Sequence, residues 1–115
     1  MKRLLEIRTY RLKPGKADDF RTIMSQEAMT MLIESGTDVV AFGRSEHEEE
    51  TYFLIRAYAD SADLTARQDA FYGSQAWRSG PREAVIGCID TYLNTLLWLT
   101  PEGVENLRQL NASRL

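Results

Sequence analysis

The sequence predicts an α+β domain of the ferredoxin-like type, in which a βαββαβ order gives an antiparallel sheet with helices on one face. Three observations point to this fold. Stretches of strict apolar–polar alternation predict strands, stretches with apolar residues at helical spacing predict helices, and clusters of Pro, Gly and Asp mark the turns between them. Because 115 residues suffice for one core, residues 1–115 are predicted to form a single domain.

The first part of this order is a strand followed by a helix. The stretch LLEIRTYRL (4–12) alternates and is rich in β-branched and aromatic residues, which favours a strand. The next segment, KPGK (13–16), has turn chemistry, since proline fixes its backbone and glycine permits unusual dihedral angles. Residues 17–35 then carry apolar side chains at helical spacing, and Gly36 suits the position after a helix end.

Two strands joined by a short acidic segment come next. The stretches DVVAFGRS (38–45) and TYFLIRAY (51–58) are both rich in β-branched and aromatic residues. Their short separation is typical of a hairpin, so the two are predicted to pair directly.

A second helical region and a last strand complete the order. Asp60 is a suitable N-cap for a helix, and helical spacing resumes in 79–88 after the interruption YGSQAW (72–77). The alternating stretch IDTYLNTLLWL (89–99) predicts the last strand. A proline directly after Thr100 predicts the start of an extra short C-terminal helix.

One face of the predicted sheet combines aromatic and charged side chains. We expect this to be the face without helices, and an aromatic surface of this kind is typical of an interface or a pocket. The alternative is a solvated face with weak cross-strand ion pairs. For the second strand, either Phe42 and Arg44 or Ala41 and Gly43 belong to this face. Its other residues are Glu6, Arg8, Tyr10, Tyr52, Leu54, Arg56, Tyr58, Asp90, Tyr92, Asn94 and Trp98.

Composition argues against several classes of partner. The formal net charge is −3 with no basic block, whereas nucleic-acid binding needs clustered Lys and Arg, so no nucleic acid is expected. No apolar run approaches the roughly 20 residues that span a bilayer, so no membrane partner is expected. The single cysteine, Cys88, cannot form an internal disulfide, which favours the cytoplasm. Cys88 is interpreted as a small buried residue, because nothing near it in sequence would activate a thiolate.

The only histidine lies in the acidic segment between the two paired strands. His47 has no second histidine to share a metal, and metal sites usually need several ligands, so neither a metal nor a cofactor is predicted. One histidine can still ligate haem or transfer a proton near neutral pH. The acidic surroundings favour a solvated residue on a hairpin.

Five residues of the aromatic face form the predicted ligand site: Arg8, Tyr10, Arg56, Tyr58 and Tyr92. Arginine supplies fixed donors for an anion, and tyrosine supplies a ring with a hydroxyl, so together they suit a small aromatic or carboxylate-bearing molecule. In an enzyme, the proton-transfer candidates are Tyr58 and His47, although no catalytic residue is identified. The other interpretation is a non-enzymatic homodimer in which these residues bridge two subunits.

Several stretches together resemble the NIPSNAP family of dimeric α/β-barrel proteins. They are EIRTYRLKPGK at 6–16, RAYADSADLTAR at 56–67 and FYGSQAW at 71–77. The most specific piece is the motif E-x-R-x-Y-x-L-K-P-G, which begins at Glu6. The resemblance covers about residues 4–99.

The resemblance implies a homodimer in which two ferredoxin-like subunits pack sheet to sheet and close a barrel lined by their non-helical faces. The wider superfamily includes cofactor-independent monooxygenases, haem-degrading enzymes, dehalogenases and polyketide cyclases. NIPSNAP-type members mostly lack a settled activity. The resemblance therefore implies a fold and a dimer, with a monooxygenase or a cyclase/isomerase among the activities to be tested.

Overall fold

The computed structural model of the chain describes residues 1–112, and residues 113–115 of the predicted domain lie outside the described part. Its four strands are β1 (Arg3–Leu12), β2 (Asp38–Arg44), β3 (Thr51–Tyr58) and β4 (Ile89–Leu99). They form one antiparallel sheet in the order β2-β3-β1-β4, which confirms the α+β, ferredoxin-like prediction.

Six α-helical segments surround the sheet, and the first two are joined by a π-helical turn at Met24–Ala28. They are α1 (Ala17–Ile23), α2 (Met29–Glu34), α3 (Ser61–Tyr72), α4 (Gln75–Ser79), α5 (Arg82–Cys88) and α6 (Pro101–Leu110). The predicted caps are confirmed, since Asp60 accepts from the Asp63 amide and Thr100 accepts from the Gly103 amide. Helix α4 occupies the predicted interruption because Ser74 caps it and accepts a hydrogen bond from the amide of Trp77.

Helices α1 to α5 cover the aromatic face over β1 and β3, so the prediction that this face is free of helices was wrong, while its β4 residues, such as Tyr92, stay exposed. Tyr10, Tyr52 and Leu54 are buried against Phe20 of α1 and other helical side chains. The side chains of β2 that share this face are now assigned, since Phe42 pairs with Leu54 and Arg44 with Tyr52.

The opposite face has an apolar core of its own, which explains the error. Its strand residues Leu5, Ile55 and Ala57 pack against Val104 of α6. Alternation therefore separates two faces that are both partly apolar, and it does not say which one the main helices cover. Helix α6 is held to β2 by Arg108, which donates to the Val39 carbonyl at 3.0 Å and pairs with Asp38.

Candidate ligand-binding cavity

A cavity of about 470 Å³ lies between the sheet and helices of the main layer. Most of its wall is apolar and includes Met24, Met29 and Trp77. The polar part of the wall is contributed by Arg8, Tyr10, Gln68, Tyr72, Arg82 and Tyr92. An apolar pocket with a few convergent polar groups is the usual form of a small-molecule site.

A buried ion pair lies behind the polar wall. Glu6 and Arg56 face each other across β1 and β3, and both are 0% exposed. Nε of Arg56 donates to Oε1 of Glu6 at 2.7 Å. Although Nη2 of Arg56 is also 2.7 Å from that oxygen, it makes no hydrogen bond, so the directional contact is through Nε. Burial alone lowers the pKa of Arg56, but the neighbouring Tyr72 and Glu6 outweigh burial and raise it.

A second arginine shares the same carboxylate. Arg8 lies on β1 two residues after Glu6, and its Nη2 donates to Oε2 of Glu6 at 3.3 Å. Its Nε donates to the side chain of Asn94 on β4 at 2.8 Å, and its guanidinium lies 4.7 Å from the centre of the Tyr92 ring. Two guanidinium groups therefore share one carboxylate, which leaves this wall with an excess positive charge.

Helix α3 completes the network with two side chains at a spacing of four. Gln68 donates through Nε2 to both oxygens of Glu6 at 3.1 Å and to the Tyr58 hydroxyl at 3.2 Å. Tyr72 accepts a hydrogen bond from Nη1 of Arg56 at 2.9 Å. Neither residue was predicted from the sequence. The sequence feature that could have indicated them is their spacing of four residues, which places both side chains on one face of a helix.

The five residues predicted as a ligand site fall into two groups. Arg8, Tyr10 and Tyr92 line the cavity directly. Arg56 and Tyr58 are buried behind it, and hydrogen bonds to Tyr72 and Gln68 link them to its wall. Arg56 is also linked to Arg8 through the shared carboxylate of Glu6. The common face was therefore predicted correctly, while its exposure was not.

The proton-transfer candidate His47 lies away from this cluster. Its side chain is 65% exposed in the turn between β2 and β3, and it is not among the residues that line the cavity. Nδ1 of His47 is 2.5 Å from the Ser45 hydroxyl, and Glu48 is its other polar neighbour. These contacts match the interpretation of a solvated hairpin residue.

The π-helical turn that joins α1 and α2 forms part of the cavity wall. Met24 and Ala28, the first and last residues of the turn, both line the cavity. Such π-bulges in helices are frequently found at functional sites. The local backbone is therefore a second, independent feature that marks this region.

Tyr10 is buried among other aromatic rings at the end of the cavity. Its ring centre lies 5.4 Å from that of Phe20 and 6.1 Å from that of Tyr92. Burial, with a further contribution from Tyr72, raises the pKa of Tyr10 to about 12, against an ordinary value of 10.0. The hydroxyl therefore stays protonated to a higher pH than that of an exposed tyrosine.

This shift predicts a loss of stability in alkali. Because the folded-state pKa of Tyr10 is the higher one, its contribution is complete below pH 10 and is lost as pH rises from 10 to 12. The loss from this residue amounts to roughly 2–3 kcal/mol. Urea unfolding of the wild type and of Tyr10→Phe between pH 8 and 11.5 measures it. We expect a shallower decline in the variant, and equal slopes would contradict the assignment.

The described residues 1–112 contain no group of three or more His, Cys, Asp or Glu side chains placed to share a metal ion. Cys88 is buried and unpaired, and burial raises the pKa of its thiol. Within the same residues, no helix has the length and apolar character needed to cross a membrane.

The fold and the cavity can now be compared with known proteins. The NIPSNAP family profile matches residues 5–102, which include every strand residue that contributes to the ion-pair network. The chain belongs to the NIPSNAP family. A comparison with curated protein sequences gives no match. In this NIPSNAP chain the motif residues Glu6, Arg8 and Tyr10 all lie on the cavity side of β1.

Solved structures show the same fold at low sequence identity. A NIPSNAP family protein from Agrobacterium tumefaciens is 17% identical with a TM-score of 0.79, over 86% of this chain and 87% of its own. A second one from that organism, of unknown function, is 21% identical with a TM-score of 0.77, over 85% and 88% of the two chains. A candidate antibiotic biosynthesis monooxygenase from Bordetella bronchiseptica is 19% identical with a TM-score of 0.61, over 87% and 97%. At these identities the likeness concerns the fold alone.

Proposed function

We propose that this NIPSNAP protein binds a small anionic molecule with an aromatic or apolar body in the cavity between its sheet and helices. The observation that carries the proposal is the excess positive charge at the polar wall, where Arg8 and Arg56 share the single carboxylate of Glu6. A ligand carboxylate or oxyanion at Arg8 balances that charge. The site differs from the barrel interior suggested by the sequence, because it lies within one protomer.

The apolar wall supports an aromatic or similarly flat body for the ligand. Trp77, Phe71 and Leu54 belong to the apolar part of the cavity wall. Transfer of a ring from water to such a wall is favourable by about 25 cal/mol per Å² of apolar area. The same cavity without the arginines would suit a neutral hydrophobic molecule.

A matched pair of probes tests this proposal. We expect 2-naphthoate to raise the melting temperature and to bind with 1:1 stoichiometry in calorimetry. We expect 2-naphthamide, which has the same rings and no charge, to bind at least about tenfold more weakly, because hydrogen bonds to charged groups contribute about 1.5–3 kcal/mol. Absence of binding by the acid, or equal affinity for acid and amide, would contradict the proposal.

In an enzymatic form of the same proposal, the protein acts on such a ligand as an oxygenase or a cyclase/isomerase. The fold shared with the candidate monooxygenase supports it, and a guanidinium would stabilise an enolate or phenolate. Against it, no Asp or Glu is found among the described residues that line the cavity, and Glu6 is already held by three donors. Binding alone is therefore the form that the side chains favour. Oxygen uptake with hydroxynaphthoates tests for the enzymatic form.

The protein is further proposed to be a homodimer, through only part of the surface predicted from the sequence. Tyr52, Tyr58, Tyr92 and Trp98 were expected at the interface. Tyr52 and Tyr58 are buried beneath helices of their own protomer, whereas Tyr92 and Trp98 are exposed on β4. Further exposed apolar residues lie along the edge strand β4, where Leu93 is 77% exposed on one face of the sheet and Leu96 is 52% exposed on the other. A long apolar edge strand is a template for pairing with another chain.

A charge at this edge is expected to separate the subunits. Leu93→Arg places a cation in the middle of the proposed interface, whereas Ile33→Arg replaces a half-exposed residue near the end of α2 and serves as the control. Light scattering at micromolar concentration should give twice the 13.2 kDa chain mass for the wild type and the control. The Leu93 variant should give the monomer mass. A monomer mass for the wild type would contradict the proposed dimer.

A further inference from the structure

We propose that the ligand carries a hydrogen-bond donor, such as a hydroxyl, close to its acidic group, and that Gln68 recognises this donor. The inference rests on the proposed function and narrows it from anionic aromatic molecules to hydroxylated aromatic acids. It follows from three side chains that line the cavity, those of Gln68, Tyr72 and Arg8. Each makes hydrogen bonds within the chain and still has hydrogen-bonding groups that are free to contact a ligand.

The orientation of the Gln68 amide is fixed by its partners. A carboxylate shared by two arginines accepts hydrogen bonds and has none to donate, so the end of the amide that meets Glu6 must be the NH₂ group. The carbonyl oxygen of Gln68 is left at the other end. Among the described residues it has no hydrogen-bond partner, and it is not one of the buried unpartnered atoms, so it remains open to solvent.

Two residues on the same wall have hydrogen-bond donors that are available to a ligand. The oxygen of Tyr72 accepts from Arg56, so its hydroxyl hydrogen is available for a different acceptor. Arg8 uses Nε for Asn94 and Nη2 for Glu6, and a further hydrogen bond joins it to Tyr10, so two of its five N–H hydrogens are left for another acceptor. Both residues line the same cavity as Gln68.

The three unused groups define a complementary ligand. Arg8 and Tyr72 donate, and together they suit the oxygens of an anionic group. The free group of Gln68 is its carbonyl oxygen, which can only accept a hydrogen bond. An acid that has no hydrogen-bond donor would displace water from this oxygen and leave it without a partner. A site built to bind a substrate hydroxyl discriminates against analogues that lack it, because a buried polar group is otherwise left without a partner.

Ring-substituted acids test the inference in the wild-type protein. The probes are the 1-, 3- and 6-hydroxy derivatives of 2-naphthoate, each compared by calorimetry with its methoxy counterpart and with 2-naphthoate itself. At least one hydroxy acid is expected to bind about five- to tenfold more tightly than its methoxy counterpart, the value of one neutral hydrogen bond. A methoxy group has similar reach and no hydrogen to donate.

A pair of glutamine variants assigns the preference to one residue. In Gln68→Met the ratio of hydroxy to methoxy affinity should fall to near one, whereas Gln109→Met, an exposed position on α6, should keep the wild-type ratio. If 2-naphthoate itself does not bind, the proposed function fails together with this inference. If the acids bind and no hydroxy isomer is preferred, or the preference survives in Gln68→Met, only this inference is overturned. The wild-type comparison decides the matter even if Gln68→Met does not fold.

Discussion

Replacement of Arg56 by methionine is expected to lower the free energy of unfolding by about 3 kcal/mol or more. The substitution leaves Glu6, which is 0% exposed, without its closest cationic partner. An uncompensated buried charge is costly because neither water nor a counterion can reach it. Arg8 and Gln68 still contact Glu6, which places the expected loss at the lower end of the range for broken buried pairs.

Chemical denaturation of two further variants separates charge from packing. Arg78→Met removes an exposed arginine in α4 and should change the free energy of unfolding by less than about 0.5 kcal/mol. The double variant Glu6→Gln with Arg56→Met removes both charges and should recover part of the loss. A loss in Arg56→Met as small as that of Arg78→Met would mean that the ion pair is not buried as described.

Replacement of Arg8 by methionine is expected to weaken 2-naphthoate binding by about 10- to 150-fold. Arg8 lines the cavity and offers the guanidinium that the ligand anion needs, and hydrogen bonds to charged groups contribute about 1.5–3 kcal/mol. Stability should change less than in Arg56→Met, because Glu6 keeps its shorter contact with Arg56. Isothermal titration gives the affinity, and thermal unfolding without ligand gives the stability.

The matched control for this variant lies three residues further along the same strand. Arg11 is on the opposite parity of β1, is 60% exposed and makes only a 3.9 Å contact with Glu48. Arg11→Met should therefore bind 2-naphthoate as the wild type does. Equal losses in the two variants would indicate a general electrostatic attraction rather than a site at Arg8.

The order and bounds of the strands were predictable from sequence because their signals are local. The alternating stretch 89–99 coincides with β4, and the stretch 51–58, rich in β-branched and aromatic residues, coincides with β3. Turn residues mark the ends of both. Helix α4 was missed because it is short and depends on one cap, in which the Ser74 side chain accepts from the Trp77 amide. In the sequence, this cap directly follows a tyrosine and a glycine, which together suggest a loop.

The face of the sheet that the helices cover was not predictable from alternation. Parity places Arg8, Tyr10 and Tyr92 on one side of the sheet, as predicted, and their role in binding a ligand stays a prediction. Whether that side is covered depends on helix packing and on α6, whose Val104 fills the opposite face. Gln68 is more than 60 residues away from Glu6 in sequence, so their contact arises only in the folded chain.

The central claim, that the ligand site lies beneath the helices, is tested most directly by NMR of methionine methyl groups. The chain has four methionines. Met24 and Met29 line the cavity, whereas Met1 is fully exposed and Met31 lies outside the cavity wall. Titration of methyl-labelled protein with 2-naphthoate should shift the Met24 and Met29 signals in step with binding and leave those of Met1 and Met31 in place. Saturable binding that leaves Met24 and Met29 unchanged would contradict the claim.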